Sequence, residues 1–314
     1  MPTITIVTPC YNAERFIGST IESVQGQTLP NWEHIVVDDG STDGSANIVE
    51  TYVSNDASNR LRLIRQSNQG VCRARNAGFD ARSPDSEYVL FLDADDCLQP
   101  DMLATLVGHM EDHPEVGLTY CLYDHLDADD NVTRPQTLPT RYRASTLGLH
   151  PVPDDVLETP PLSIFAGQAI PSVSLLRASL FERTDGFDEQ LGQPVEDVDL
   201  FTQIALQSAV HRLPLRLVYY RRYEGQASQN TERIRKHRKK LLAKWSHSFN
   251  EITEEHQRIC RSLRYDWSGK LVPAIWLRAA KATMAQGKVV HSFLLLAGGI
   301  ARYLLYTGKL LLFP

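Results

Sequence analysis

Short apolar segments alternate with amphipathic helical patterns through the first 123 residues of the chain. The apolar runs predict strands, and between them apolar residues recur at the spacing of three and four that is typical of helices. The predicted strands span residues 4–8, 34–37, 61–64, 88–92 and about 116–123. Such alternation indicates a mostly parallel sheet covered by helices on both faces. The sequence therefore predicts an α/β fold.

Acidic residues follow two of the predicted strands directly. Asp38 and Asp39 follow the second strand, and Asp93, Asp95 and Asp96 follow the fourth. Ligands bind at the carboxyl ends of strands in such sheets. Like charges held together there are costly unless a cation or a hydrogen-bonded ligand offsets their repulsion. The pattern favours a divalent cation with a phosphorylated ligand, although a polar turn leading into a helix also explains it.

Several other classes of protein lack support in the sequence. There is no G-x-G-x-x-G and no G-x-x-x-x-G-K-[ST], so neither a dinucleotide fold nor a P-loop is indicated. The five cysteines are scattered without a C-x-x-C pair, which argues against a disulfide framework and fits a reducing compartment. No basic segment precedes an apolar stretch at the N-terminus, so we expect no signal peptide and a cytoplasmic location.

Charge divides the chain into two regions. Residues 232–314 carry 16 basic and 5 acidic side chains, whereas residues 1–231 carry 16 basic and 33 acidic ones. The C-terminal region is therefore a separate basic segment, which we predict to be mainly helical. A charge excess is more often a solvated face than a binding site, but here it extends over the whole region.

The segment 289–312 is apolar enough to raise the question of a membrane span. At ~100° per residue, His291, Gly298, Arg302 and Lys309 all lie within about 20° of one line on a helix. A polar stripe suits a helix lying on an anionic membrane surface, since a spanning helix would carry Arg302 at a cost. A helix packed on the preceding domain is the alternative. We predict peripheral attachment to the inner face of a membrane.

Motifs in a fixed order give the chain a resemblance to a known family. They are Thr8 to Asn12, Val36 to Asp43, Asn68 to Gly78, Leu92 to Asp96, Gly186 to Glu189 and Glu196 to Leu200. The series resembles glycosyltransferase family 2, inverting enzymes of the GT-A fold, a Rossmann-like, mostly parallel sheet flanked by helices. The resemblance covers residues 3–228. It implies a catalytic domain at 1–231, with a nucleotide-sugar-binding half at about 1–123 and an acceptor-binding half at about 124–231.

The resemblance implies a donor site at the strand ends. Asp39 would accept a hydrogen bond from a uracil base, Asp93 would hold the ribose hydroxyls, and Asp95 would bind Mn²⁺ or Mg²⁺ against the diphosphate. Arg75 would contact the nucleotide or pair with one of these aspartates, an ordinary helix-face salt bridge being the alternative. The donor-binding residues so implied are Thr8, Pro9, Tyr11, Asp39, Arg75, Asp93 and Asp95. We expect Asp96 to form the turn into the next helix.

The resemblance also implies that Asp197 is the catalytic base, with Glu196 and Asp199 on the acceptor side. Neighbouring carboxylates can raise the pKa of Asp197 towards a useful value. The alternative is a helix N-terminal turn stabilised by the helix dipole, and the two can hold together.

One motif departs from the family pattern. Tyr223 stands where the family often has a histidine that contacts the metal or the diphosphate. A phenol stays protonated near pKa ~10 and is a poor ligand for a hard cation. Arg221, Arg222 or Tyr223 would then contact the diphosphate directly.

The resemblance therefore implies an inverting glycosyltransferase. It would move a sugar from a nucleotide donor, a UDP-sugar, to a carbohydrate or lipid-linked acceptor with the help of Mn²⁺ or Mg²⁺. We expect no nucleic-acid partner. The alternatives are a nucleotide-sugar-binding module that has lost turnover and another nucleotide-diphosphate-dependent transferase. A phosphatase that uses Asp-x-Asp is disfavoured, because Cys97 stands where Thr or Val is needed.

Overall fold

Strands and helices alternate along the N-terminal half of the chain, as the apolar pattern predicts. A computed structural model describes residues 4–135 and 169–224, with 226, 236, 237, 240, 241, 243 and 244. The described residues up to 237 belong to one compact unit, and those from 240 onward belong to a second. The predicted boundary near residue 231 stays a prediction. The membrane-surface helix predicted at 289–312 lies outside the described residues.

The strands are β1 (Ile4–Cys10), β2 (Trp32–Asp39), β3 (Leu61–Gln66), β4 (Tyr88–Phe91), β5 (Cys97–Leu98), β6 (Val116–Leu126), β7 (Val132–Pro135), β8 (Ser174–Arg177) and β9 (Ala209–Arg221). The helices are α1 (Ile17–Gln25), α2 (Ser45–Asn55), α3 (Val71–Asp80), α4 (Met102–Asp112), α5 (Ala178–Phe181) and α6 (Glu196–Ala205), with a 3₁₀ turn at Pro171–Val173.

Within the described part of the chain the strands form a single sheet. Its order is β3-β2-β1-β4-β8-β6-β9-β5, and β7 pairs with β6. β1 to β4 are mutually parallel, and β6 runs parallel to β9. β8 is antiparallel to both β4 and β6, so those two strands point the same way. The predicted α/β sheet is thus confirmed, and its parallel strands end at one edge.

Burial explains why these strands read as continuous apolar runs. All residues of β1, β2 and β4 are buried, as expected when helices cover both faces of a sheet. Helix α4 buries one side of itself against this core through Met102, Leu103, Leu106 and Met110. Fully burying a side chain of this size contributes roughly 1.5–3 kcal/mol relative to exposure.

Helix α3 approaches β1 closely because residue 78 is a glycine. A Cβ atom on Gly78 would lie 2.3 Å from Cγ1 of Val7 and 3.1 Å from Cγ2 of Val37. Any larger side chain would push the helix away from the sheet. The approach holds the first turn of α3 beside the end of β2, which positions the site described below.

Asn12 lies before α1 in a left-handed turn (φ 51°), and its Oδ1 accepts a hydrogen bond from the N–H of Thr42. Helix α1 begins five residues later, at Ile17.

Cys10, Cys72, Cys97 and Cys121 are buried free thiols. Across the residues that the structure describes, no helix has the length and apolar character to cross a bilayer.

Candidate active site

Asp39 ends β2 and accepts hydrogen bonds from the loop and helix that follow β3. Its Oδ1 accepts from Nε2 of Gln66 (2.7 Å) and the N–H of Gln69 (2.8 Å), and its Oδ2 accepts from the N–H of Gly70 (2.8 Å). Gly70 has φ 92°, a conformation that favours glycine. A carboxylate offers about four acceptor positions. One position on Oδ2 therefore remains for a ligand.

The three other residues predicted around the base differ in accessibility. Thr8 is fully buried and its Oγ1 lies 2.8 Å from Nε2 of His34, so its side chain does not face a ligand. The hydroxyl of Thr8 is thus used in a contact with the neighbouring strand β2, which does not fit a donor contact by this side chain. Pro9 is a buried residue of β1. Tyr11 follows β1 with half of its surface exposed, at 51%.

Arg75 joins two acidic motifs that lie 103 positions apart in the sequence. Its guanidinium is almost wholly buried and pairs with Oδ1 of Asp93 (2.7 Å) and with Oε1 of Glu196 (2.8 Å). The ring of Phe187 lies 4.9 Å from the guanidinium carbon. Of the alternatives weighed for Arg75, the structure shows pairing with an aspartate. Oε2 of Glu196 is buried without a hydrogen-bond partner among the described residues.

Asp197 lies in the first turn of α6, beside this ion-pair cluster. Burial, with the charges of Glu196 and Asp93, raises the pKa of Asp197 to about 7, although Arg75 and the N–H of Val198 act in the opposite direction. One of its oxygens accepts from the N–H of Val198 at 2.7 Å. A carboxyl that titrates near neutrality is suited to general base catalysis. The structure shows Asp197 at the helix start, and its role as the catalytic base stays a prediction.

Asp199 lies on the same turn but is buried. Its Oδ2 accepts a hydrogen bond from Nε2 of Gln203, one helical turn later, at 3.0 Å. This contact stays within the helix, and the acceptor-side role predicted for Asp199 stays a prediction.

Asp95 is held by the tyrosine that replaces the expected histidine. The hydroxyl of Tyr223 donates to Oδ2 of Asp95 at 2.9 Å, and the Tyr223 ring packs against Phe16 with 4.9 Å between centroids. Burial and the neighbouring Asp93 raise the pKa of Asp95 to about 6, while the Tyr223 bond acts in the opposite direction. Tyr223 therefore contacts the predicted metal ligand itself.

Asp96 has a different role from the one expected. Its N–H closes a turn with the carbonyl of Asp93, but its carboxylate accepts from the backbone N–H of Arg221, at the end of β9 (2.9 Å). The side chain is fully buried, and burial together with Asp95 and Asp93 raises its pKa well above the usual range. Asp96 therefore anchors β9 to the loop formed by residues 93–96, called the acidic loop below, instead of starting helix α4.

Arg221 is a buried connector rather than a surface cation. Its side chain is fully buried, and it donates to the carbonyls of Asp95 (2.8 Å) and Asp127 (3.0 Å) and pairs with Asp130 (2.6 Å). This placement does not fit the diphosphate contact predicted for Arg221, because its guanidinium is enclosed by protein. Arg222 is exposed, and its backbone N–H donates to the carbonyl of Leu126 at 2.8 Å.

The donor set at the acidic loop fits a hard divalent cation. Asp93 and Asp95 are carboxylates two residues apart, and the charge of Asp93 raises the pKa of Asp95, an effect that a bound cation would offset. Carboxylate oxygens are the ligands preferred by Mg²⁺ and Mn²⁺. The carboxylate of Asp95 would hold such an ion, with Tyr223 donating to it from the second layer of contacts.

Sequence reasoning missed the residue that links α3 to the acceptor-side motif. Asn76 accepts from the N–H of Phe187 through Oδ1 and donates to its carbonyl through Nδ2, both at 2.9 Å. Ser172 also went unnoticed, and its Oγ accepts from the N–H of Asp93 at 3.1 Å. Asn76 stands within a motif, which was a signal; Ser172 lies outside the motifs and gave none.

A family model for glycosyl transferase family 2 matches residues 5–163, about half of the chain. A putative glycosyltransferase, EpsH of Bacillus subtilis, is 34% identical over 142 residues, which are 45% of this chain and 40% of that protein. Glycosyltransferase GlyA of Streptococcus pneumoniae is 27% identical over 286 residues, covering 91% of this chain and 38% of GlyA. The chain thus spans about two fifths of the length of these curated relatives.

Solved structures share the fold at low sequence identity. Staphylococcus aureus TarS 1–349 in complex with UDP-GlcNAc has a TM-score of 0.64 at 18% identity, covering 95% of this chain and 89% of that one. The mannosyltransferase PcManGT from Pyrobaculum calidifontis, in complex with GDP-Man and Mn²⁺, has a TM-score of 0.65 at 20% identity, with 98% and 86% covered. These likenesses support the GT-A architecture.

Proposed function

Because the chain belongs to glycosyl transferase family 2, we propose that it transfers a sugar, with inversion, from a nucleoside diphosphate donor to a hydroxyl of a carbohydrate or lipid-linked acceptor. The observation that carries the proposal is the Asp93–Arg75–Glu196 bridge, which brings the donor-side motif to the turn containing Asp197. A donor held by Asp93 would thereby lie beside a carboxyl whose pKa is near neutrality.

The donor is proposed to lie across the ends of β2, β1 and β4. Adjacent strands are about 4.8 Å apart, so the ends of β2 and β4, with β1 between them, are roughly 10 Å apart. This spacing allows a base at Asp39 and a ribose at Asp93. The remaining acceptor position of Asp39 suits a ring N–H such as that of uracil, and half-exposed Tyr11 offers a stacking face.

Asp197 is proposed to take the proton of the acceptor hydroxyl. As that proton passes to the carboxylate, the acceptor oxygen forms a bond to the anomeric carbon, and the bond from this carbon to the diphosphate breaks with its electron pair leaving on the phosphate oxygen. Attack and departure occur on opposite faces, which gives inversion. Glu196, whose Oε2 is unpaired among the described residues, would accept from an acceptor or sugar hydroxyl.

Asp95 is proposed to hold the divalent cation, Mn²⁺ or Mg²⁺, with the hydroxyl of Tyr223 fixing the orientation of its carboxylate. When bound, such a cation neutralises charge that develops on the leaving diphosphate. Arg222 is exposed at the end of β9 and is the cation that we assign to the diphosphate in place of Arg221.

The test is a screen of UDP-, GDP- and other nucleotide sugars with Mn²⁺ or Mg²⁺. Thermal stabilisation would report donor binding, and nucleoside diphosphate release would report turnover. Asp197→Asn should lower release by about 10²–10⁴-fold and keep the stabilisation, because it removes only the base. Asp95→Ala should weaken both. No stabilisation by any donor, or the reverse pattern in the two variants, would contradict the proposal.

A nucleotide-sugar-binding module with lost turnover is the second candidate. The observation that favours it is the hydrogen bond from Tyr223 to Asp95. Tyr223 stands at the position where the family often has a histidine. The same screen separates the two functions, since a module without turnover would be stabilised by donors and would release no diphosphate with any acceptor tried.

A further inference from the structure

Three histidines converge at the edge of the sheet opposite the candidate active site. His109 lies in the last turn of α4, His113 directly follows that helix, and His211 is near the start of β9. Each offers a ring nitrogen, and the three nitrogens lie within 4.8 Å of one another. His109 and His113 are four positions apart, so their rings share one face of the helix; the rings stack at 4.3 Å between centroids.

From this geometry we propose that His109, His113 and His211 form a binding site for a transition-metal ion, Zn²⁺ being the first candidate. Three nitrogens around Zn²⁺ at 2.0–2.1 Å would be roughly 3.3 Å apart in a tetrahedral arrangement. Nε2 of His109 and Nδ1 of His211 are already 2.9 Å apart. Small side-chain rotations that bring in the third ring would therefore complete the set of ligands.

Contacts around the cluster orient the rings as metal ligands require. Nδ1 of His113 is 2.9 Å from the carbonyl of His109, so Nε2 is the nitrogen that faces the cluster. A backbone carbonyl bound to the other ring nitrogen is a common partner of metal-ligating histidine. Asp112 and Glu115 are charged neighbours of His109. The nearby carboxylates also favour a cation.

The site is separate from the candidate active site in position and in chemistry. Arg221 ends the strand on which His211 lies, and ten residues of strand span about 33 Å. Imidazole ligands select Zn²⁺, Cu²⁺ or Ni²⁺, whereas the carboxylates of the acidic loop suit Mg²⁺ and Mn²⁺. The metal would link the end of α4 to the start of β9. Its binding would therefore increase the stability of the folded protein.

The test is Zn²⁺ binding to the full chain in an Asp95→Asn background, which removes the carboxylate ligand of the active site. Calorimetric titration should find one Zn²⁺ per chain and a rise in Tm with Zn²⁺. Adding His113→Gln or His211→Gln should weaken binding at least tenfold and remove the rise in Tm. His237→Gln, which removes an imidazole elsewhere, should bind as the background does. Unchanged binding in both cluster variants would overturn the proposal.

A second measurement needs no histidine substitution and applies even if those variants do not fold. X-ray absorption of the Zn²⁺-loaded Asp95→Asn protein should show imidazole nitrogens at about 2.0 Å around the metal. A shell made only of carboxylate and water oxygens would contradict the site.

Discussion

At the scale of single residues, the candidate site depends on how neighbouring charges shift each other's protonation. Asp197 sits between a negative neighbour, Glu196, and a positive one, Arg75, and burial dominates both. Burial and the charge of Asp93 raise the pKa of Asp95, and the hydrogen bond from the hydroxyl of Tyr223 partly offsets this rise. The same few contacts therefore determine which carboxyl can take a proton and which can hold a cation.

The pH dependence of turnover should report Asp197. Because its pKa is about 7 and the base must be ionised, kcat/KM should fall about tenfold per pH unit below 7 and level off above it. The Glu196 charge raises this pKa, so Glu196→Gln should move the midpoint to lower pH. Glu182→Gln, a change at an exposed and distant carboxylate, should leave the midpoint in place. A midpoint that Glu196→Gln does not move would argue against the assignment.

Tyr223 should control how strongly the metal is held. Tyr223→Phe removes the hydrogen bond that orients Asp95 and should raise the Mn²⁺ concentration needed for half-maximal activity by about tenfold. Tyr223→His restores the family histidine and should lower that concentration below the wild-type value. Tyr220→Phe, which removes a nearby phenol hydroxyl at the end of β9, is the matched control. Identical Mn²⁺ titrations for all four proteins would show that Tyr223 has no part in metal binding.

At the scale of elements, helix α3 assembles the site. The N–H groups of Gln69 and Gly70 at its start bind Asp39, Arg75 in its middle joins Asp93 to Glu196, and Asn76 holds the backbone of Phe187. One helix and its start thus contact four separate motifs of the family pattern. Its close packing on β1 through glycine keeps these contacts in register.

Replacing Arg75 should destabilise the protein through the helix as well as the site. Arg75→Met would leave the carboxylates of Asp93 and Glu196 without their buried partner, at a cost of about 3–5 kcal/mol. Urea unfolding measures this loss, which should shrink at low pH because protonation of the two carboxyls relieves the uncompensated charge. Arg73→Met on the same helix breaks only an exposed pair with Glu189 and should cost about 1 kcal/mol or less. Equal losses in the two variants would show that burial of the pair does not matter.

The elements themselves were largely predictable because strand and helix periods are local properties of sequence. The predicted runs 34–37 and 61–64 lie within β2 and β3. β2 extends beyond its apolar run because its pairing with β1 continues to Asp38 and its pairing with β3 continues to Asp39. β5, β7, β8 and β9 were not predicted. The first three have only two to four residues, too few to show a period, and β9 contains Pro214 and several basic residues, which weaken a strand pattern.

Side-chain contacts in the site were less predictable because tertiary pairing decides them. The bond from Tyr223 to Asp95 joins residues 128 positions apart, and no local pattern encodes it. Thr8 belongs to a motif, but strand geometry alternates side chains between the two faces and turned its hydroxyl towards His34. Arg221 and Asp96 look like surface charges in the sequence, yet both side chains are buried. The carboxylate of Asp96 accepts a hydrogen bond from the backbone N–H of Arg221. Motifs thus indicated where the site lies, and the fold assigned the individual roles.

At the scale of the whole molecule, the chain combines an acidic first region with a basic second one. Residues 1–231 carry twice as many acidic as basic side chains, and residues 232–314 carry 16 basic against 5 acidic. The family model lies entirely within the first region. An acceptor carried on a lipid would place the acidic domain near an anionic surface that repels it, and the basic region would offset that repulsion.

The last prediction concerns this basic region. The full chain should bind vesicles containing anionic lipid at low salt and should bind neutral vesicles weakly, because a polar stripe with Arg302 and Lys309 would face the headgroups. Deleting 285–314 should abolish cosedimentation with the anionic vesicles, and raising the salt should weaken it.

The double reversal Arg302→Glu with Lys309→Glu should weaken binding strongly. Arg65→Glu with Arg183→Glu, which changes the net charge of the catalytic domain by the same amount, should have a smaller effect, because those two residues lie outside the predicted stripe. If the deletion bound as well as the full chain, or if the two double variants lost binding equally, attachment would come from overall charge rather than from this helix.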